Sequence, residues 1–329
     1  MQKKAVYRSK DYSEKTAFLK VLFQDDISDP KWMAPGQRGD AEMNLRKLGI
    51  LTAGVFLSLV AAVFVWFQIP YSPLEEQVND DVGELVTENC FVPAIHDFRR
   101  EDFEDLPEPV QKYLDHCGYI GKPKMNYLKM EYRDADFLER KNGPMLQVDY
   151  TQYSFVKYPD RIAFLESSKY GVPLEAYDRY RNGRGSMRGV AGKCYPLFDT
   201  RGPEMDQAFL ATVLAESLFI PSMLLRDYIQ FEPIDDYSVK AQMHYRGDTV
   251  HGIFRFNKDY EMISFTTGDR ALSERNGSYR QVPWTAECTD YKMSENGILQ
   301  PTRFKSVWNR PEGDLIYFDG TIHRMSYGY

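Results

Sequence analysis

No Cys-x-x-Cys pair occurs among the four cysteines of this 329-residue chain, which removes a thioredoxin-like redox site and a zinc knuckle. The five histidines form no H-E-x-x-H or H-x-H, so no ready-made metal site is present. G-x-S-x-G is absent as well, and the Ser, His and Asp residues are too dispersed to suggest a triad. A basic excess is lacking too. The formal charge is −7, and the first 47 residues hold ten basic against seven acidic groups, which leaves −10 for the rest. A body so acidic cannot grip nucleic acid, which needs Lys and Arg to neutralise phosphates.

One stretch lacks charge altogether. Leu48 to Ile69 reads LGILTAGVFLSLVAAVFVWFQI, with only Thr52, Ser58 and Gln68 polar. At the helical rise its length is roughly 33 Å, enough to cross a hydrocarbon core of about 30 Å. A lone segment in lipid must satisfy its own backbone, and a helix does so. Lys31, Arg38, Arg46 and Lys47 precede the span, whereas the first basic residue after it is Arg99. That asymmetry predicts a cytoplasmic N-terminus and an extracytoplasmic Tyr71 to Tyr329, in the cell membrane. The span is too long and too far from the N-terminus for a cleaved signal peptide, and FQIPYSPLEE offers no small-residue cleavage site. The reading is an uncleaved signal anchor.

Four regions follow. Residues 1–47 form a cytoplasmic tail, in which Thr16 to Phe23 has the pattern of a short amphipathic helix. Residues 48–69 span the bilayer. Residues 70–105 read as an acidic juxtamembrane connector, with a helical patch over Leu74 to Val86 and acids that form a solvated face. Residues 106–329 are the folded body. It opens with a helix over Pro107 to Cys117, where Val110, Tyr113, Leu114 and Cys117 make one apolar stripe.

From Lys124 the period changes to two. MNYLKMEY, MLQVDYTQYSFVKY, RIAFLESS and YSVKAQMHY alternate and are rich in Tyr, Val, Ile and Phe, which predicts strands. Asn142-Gly143, Asn182-Gly183, Gly247-Asp248, Asn276-Gly277, Asn296-Gly297 and Asp319-Gly320 are candidate tight turns, so the strands are antiparallel neighbours. One helix interrupts them, beginning at Gly202-Pro203-Glu204-Met205-Asp206 and running to about Phe219. It is apolar almost all round and therefore buried against the sheet.

Within that helix Glu216 falls on the face of Met205 and Phe209. A carboxylate among apolar neighbours either pairs with a cation or titrates high, which makes it a candidate for binding or acid–base work. His244 and His251 face each other if Gly247-Asp248 is the turn, a weak metal pair without further ligands. Gly183, Gly185 and Gly189 are spaced off the dinucleotide fingerprint and read as a hairpin. No cofactor is implied. Cys90, Cys117, Cys194 and Cys288 all follow the span; three pairings are open to them, as is the state of free thiols. The 43 Tyr and Phe residues concentrate in the strands, where a curling sheet can pack them or enclose a cavity.

LPEPVQKYLDHCG, RGPEMDQAFLATVLAESLFIPSMLL, the Pro-Trp at 283–284 and PTRFKSVWNRPEGDLIYFDGTI resemble a bacterial family known only as a domain of unknown function. The resemblance covers about Leu106 to Tyr329 and implies no activity, cofactor or catalytic residue. The order of strands and helices is also similar to the incomplete barrels of periplasmic lipoprotein carriers, which hold acyl chains between a curved sheet and helices.

The expected architecture is one transmembrane helix followed by a β-rich α+β domain, a curved antiparallel sheet that forms an incomplete barrel with a few packed helices. The expected function is non-enzymatic binding of an apolar or lipid-like ligand, with Met205, Phe209 and Glu216 as ligand-binding residues. A hydrolase built on Glu216, or an interaction subunit with a membrane-protein partner, are the alternatives. On this reading carbonate washing leaves the protein in the membrane, and a tag after Tyr329 is reached only from the extracytoplasmic side. Release by carbonate, or a cytosolic tag, overturns the topology.

Overall fold

The computed structural model describes residues 35–90, 96–138, 143–273 and 278–329. The expected helix over Thr16 to Phe23 and the turns at Asn142 and Asn276 lie outside them. The chain divides between Trp66 and Phe67 into two units. Most of the uncharged run lies in the first, within helix α1 (Pro35–Gln68), whose last two residues belong to the second. Its large side chains are exposed, Ile50 at 74 % and Phe56 at 65 %, so no protein core covers them. Thr52 and Ser58 donate their hydroxyls back to the carbonyls of Gly49 and Gly54 at 3.0 and 2.9 Å, which satisfies both within the helix. Among the described residues this is one helix long and apolar enough to cross a membrane.

The second unit begins with helix α2 (Pro73–Asn89), whose N-cap Ser72 accepts from the Leu74 and Glu75 amides. Leu74, Val78 and Leu85 bury one face against Phe155, Ile162, Phe164, Tyr177 and Val190. The acids of this stretch do more than face solvent. Asp81 accepts from the Tyr177 hydroxyl at 2.6 Å, while Glu84 and Glu88 hold Arg181 at 2.7 and 2.8 Å. Helix α3 (Glu108–His116) follows and buries Val110, Tyr113 and Leu114, as its stripe requires.

Thirteen strands form one antiparallel sheet. Strands β1 (Tyr127–Leu138), β2 (Met145–Phe155), β3 (Arg161–Lys169), β4 (Val172–Arg181), β5 (Arg184–Ala191) and β6 (Tyr195–Arg201) meander to one edge. Helix α4 (Pro203–Glu216) and two short 3-10 turns then carry the chain to the other edge. From there β7 (Ile229–Asp235), β8 (Ser238–Tyr245), β9 (Asp248–Phe256) and β10 (Met262–Thr267) lead back. Two small pairs, β11 (Ala271–Ser273) with β12 (Tyr279–Gln281) and β14 (Lys292–Met293) with β15 (Leu299–Gln300), decorate the return. Strands β13 (Trp284–Thr289), β16 (Arg303–Trp308) and β17 (Leu315–Gly328) complete the sheet, and β17 joins the halves by pairing with β1.

Helix α4 touches β4, β5 and β6 on one flank and β8, β9 and β10 on the other. A single helix can reach both flanks only if the sheet curls around it. The hairpin tips confirm the curl, for a Cβ added to Gly183 would lie 2.6 Å from the Arg246 Cβ. The edges β6 and β7 do not pair, so the barrel stays incomplete.

Turn chemistry explains both the hits and the misses. Asn182 and Gly183, at φ 54° and 77°, make the expected hairpin, and Gly297 at φ 73° turns between β14 and β15. The β8–β9 turn falls one residue early, on Arg246 and Gly247 at φ 54° and 96°. Asp319-Gly320 makes no turn and lies inside β17. There the glycine is needed for space, since a Cβ would stand 2.9 Å from the Tyr132 ring and 2.8 Å from that of Phe318.

Helix α4 is seated at its start by Asp206, which accepts from the Gly185 amide at 2.6 Å and from Arg184 at 2.7 Å. A Cβ on Gly185 would stand 2.6 Å from the Met205 carbonyl oxygen and 2.7 Å from the Phe209 ring. Gly185→Ala is therefore expected to destabilise the fold by about 1–3 kcal/mol, as overpacking does. An unchanged thermal melt would show that the helix is not held against β5.

Candidate functional site

Alternation along β2 to β5 sorts their side chains between α2 and the concave face. Tyr153, Phe155, Ile162, Phe164 and Tyr177 go to the α2 side. Tyr150, Gln152, Ser154, Arg161, Asp178 and Tyr180 therefore go inward. Backbone register places them in rows: Ser154, Arg161, Tyr180 and Gly185 in one, and Gln152, Ala163, Asp178 and Met187 in the next. A third holds Tyr150, Leu165, Ala176 and Gly189. The first row lies under α4, where Gly185 admits the helix.

Arg161 is the centre of the first row, with its side chain only 4 % exposed. Its Nε donates to Glu216 Oε2 and its Nη2 to Oε1, both at 3.1 Å. The same Nη2 also donates to Tyr150 Oη and, at 2.9 Å, to Gln152 Oε1. Ser154 Oγ adds a bond to Glu216 Oε2 at 3.0 Å. Both carboxylate oxygens are thus occupied by a fork and a hydroxyl, a geometry that holds charge in place.

The second row is less complete. Asp178 Oδ1 and Gln152 Nε2 are buried without a hydrogen-bond partner in the described structure. Burial pushes the Asp178 carboxyl up to about 6, and the charges of Arg161 and Arg270 oppose that rise. Arg270 comes from the opposite flank of the sheet, just beyond β10. The Arg270 guanidinium carbon lies 4.5 Å from the centre of the Trp284 ring and 5.6 Å from that of Trp308. Trp284 Nε1 donates to Tyr317 Oη at 3.1 Å, and Tyr317 stacks on Trp308 with centroids 6.0 Å apart. Tyr150, Ala176, Met187, Leu272 and Tyr317 are each half-buried on these walls. One flank thus carries an aromatic patch around Arg270, and the other carries small and aliphatic residues together with the two unpartnered polar atoms. Two surface depressions lie elsewhere, one of about 460 Å³ beside Asp235–Ser238 and Arg255, the other of about 400 Å³ between Phe67–Glu75 and Glu166, Glu175 and Lys193.

The residues singled out from sequence fall into two groups. Met205, Phe209 and Glu216 all lie on α4, where the Met205 carbonyl and the Phe209 ring pack on Gly185 and Glu216 is bound to Arg161 at the other end. His244 and His251 do not face each other, because the turn on Arg246-Gly247 shifts the ladder by one. His244 pairs with Thr249 and His251 with Gln242. The imidazoles turn to local partners, His244 Nδ1 to Thr249 Oγ1 at 2.7 Å and His251 Nδ1 to Asp269 Oδ2 at 3.1 Å. Among the described residues no group of three His, Cys, Asp or Glu could hold a metal. The four cysteines are free thiols, and burial pushes Cys117 up to about 12. Arg161, Asp178 and Arg270 went unnoticed in the sequence. Their signal was a charge at an inward position of an alternating strand for the first two, and for Arg270 there was none.

Comparison with known proteins places the chain in a family. Residues 96–320 match the model of a family of unknown function, DUF6544, and the chain belongs to it. No match to a curated protein is found. Among solved structures, the chain is similar to a domain assigned to outer membrane lipoprotein sorting, from Vibrio parahaemolyticus. That match has 9 % identity and a TM-score of 0.36 over 67 % of this chain and 91 % of the other. It is also similar to a DUF1329 family protein from Desulfovibrio piger, at 12 % identity and a TM-score of 0.35 over 70 % and 94 %.

The unpartnered Asp178 makes stability depend on pH. Its folded value of about 6 lies above the ordinary 3.8, so between the two the folded chain binds more protons than the unfolded one. Stability from this group falls as pH rises through that window and is lowest above it. Asp178→Asn is expected to melt at a higher temperature than the parent at neutral pH and level with it below about pH 4. Asp160, which burial also pushes up to about 6, leaves a residual slope in both proteins. A variant less stable than the parent at neutral pH would mean that Asp178 is held by a pairing strong enough to repay its burial.

Proposed function

We propose that this DUF6544 protein is a membrane-tethered, extracytoplasmic binding module that takes an amphipathic, lipid-like ligand on the uncovered part of its concave sheet and performs no chemistry on it. The supporting observation is the second row. It sets a carboxylate oxygen and an amide nitrogen that lack partners beside Met187 of the same row and Tyr150 and Ala176 of the next, all three half-buried. Buried polar atoms of this kind are costly unless a ligand or water completes them. An apolar chain suits the walls of Ala176, Leu272 and Met187, and a polar head with a donor and an acceptor suits Asp178 and Gln152. Arg161 and Glu216 form the charged floor, while Met205 and Phe209 hold the helix that closes one end.

Glu216 speaks against the hydrolytic alternative. A general acid or base needs an open hydrogen-bonding direction toward substrate, and here the Arg161 fork and Ser154 fill both oxygens. The apolar span gives the module a reason to be where lipids are, since ligand leaving a bilayer has a short path to a tethered binder.

Full-length protein in mild detergent, irradiated with a photoactivatable fatty acid, is expected to carry label on peptides from β2 to β5 and around Trp284. Ala176→Trp, which fills the lining, is expected to remove that label. Because any greasy helix binds such a probe, label confined to residues 48–69 overturns the proposal.

A further inference from the structure

Two hairpin tips of the second unit stand together beside the point where the chain leaves its apolar span. The β3–β4 turn is Tyr170-Gly171, closed by pairing of Lys169 with Val172. The β5–β6 turn holds Gly192, Lys193 and Cys194, and its Gly192 amide donates to the Pro173 carbonyl at 2.8 Å, which ties one tip to the other. Lys193 Nζ donates to the carbonyl of Ile69, and a Cβ on Gly192 would stand 3.1 Å from the Phe67 ring. Phe67 and Ile69 are the last residues of the uncharged run and belong to the second unit, so the second tip touches the end of that run and is tied to the first.

Tyr170 is the residue without a structural reason. It is 95 % exposed, and its ring is met by the Lys169 ammonium at 5.8 Å. Its φ of 54° is a left-handed conformation in which Asn or Gly is at ease and a bulky residue is strained. A ring that costs conformational strain and is given to water gains nothing within the fold. Tyr195, 68 % exposed, flanks the second tip, and Ile69 and Tyr71, at 41 % and 44 %, lie at the exit of the span. Tyrosines at the end of a membrane span are what the headgroup layer accommodates, with the ring among the upper acyl carbons and the hydroxyl in water.

We infer that the Tyr170 and Tyr195 tips form a seat on the bilayer interface, which holds the β domain against the membrane that its own helix spans. The inference rests on the membrane-tethered reading. Charge limits the kind of surface: Glu166 and Glu175 are cross-strand partners beside these tips, with Glu75 close to both. These carboxylates offset Lys169 and Lys193 on the tips, which leaves no basic excess, so the seat fits zwitterionic lipid through its aromatic rings and is not a polybasic contact.

Cys194 is exposed at the second tip and supplies the probe, with the partly exposed Cys90 replaced by Ser. The full chain is labelled there with an environment-sensitive fluorophore and reconstituted into zwitterionic vesicles that contain spin-labelled lipid. The expected result is a blue-shifted emission, lost to lipid labelled near the headgroup and unaffected by salt. Tyr170→Asn combined with Tyr195→Ser is expected to restore a water-like emission without lowering the melting temperature, because Asn suits the turn better than Tyr. A water-like emission in the parent, or a contact that needs anionic lipid and is dissolved by salt, overturns the seat. A second chain labelled at Ser58→Cys separates the two readings. Quenching at residue 58 without quenching at 194 removes the seat and keeps the tether, and quenching at neither removes both.

Discussion

The ion pair between Arg161 and Glu216 is the point at which the sheet and the helix it encloses are made to agree. Arg161 sits on β3, near the middle of the first meander, and Glu216 ends α4. Moving the helix along the sheet, or relaxing the curl, would pull one of two desolvated charges from the other. Removal of one partner from such a pair costs about 3–5 kcal/mol, because the survivor is left charged and dry. Apolar packing alone could hold α4 in several registers, as an evenly greasy helix has no preferred face. The fork, together with Asp206 at the other end, selects one.

From that constraint follows the division of the concave face. α4 occupies the first row of inward residues, and Gly185 gives it the room to do so. Rows two and three follow it along the strands, where Ala163 and Ala176 are small and the Asp178 Oδ1 atom is left without a direct partner.

An incomplete barrel has two edges to protect, and both are blunted. β6 carries Pro196 and the Asp199–Arg201 pair, and β7 carries Pro233 with Glu232 bound to Lys240. Proline and charge on an edge strand discourage pairing with another chain. Helix α2 shields the outer face of β2 to β4, with its acids matched to Tyr177 and Arg181 rather than spread in water. The acidic composition of this region had suggested a solvated linker. Composition records how many charges there are, and only the docked helix records where their counterions stand.

What could be read from the chain alone is what local interactions settle. An unbroken uncharged run makes α1, the stripe of Val110, Tyr113 and Leu114 makes α3, and Pro203 with acids behind it starts α4. Period-two alternation with Asn-Gly turns makes an antiparallel sheet, because side-chain direction and turn type are decided within a few residues. Glu216 could be seen as an anomaly for the same reason, but its partner could not, since 55 residues separate it from Arg161. Nor could the neighbourhood of Asp178 and Arg270, which depends on how far the sheet curls. The two histidines show how narrow the margin is: one residue of difference in a turn exchanged a facing pair for two unrelated contacts. Sequence determined the elements and the long apolar helix, through propensity and hydropathy. Tertiary structure decided register, curl and which charges meet, because those depend on pairings between distant segments that no local pattern encodes.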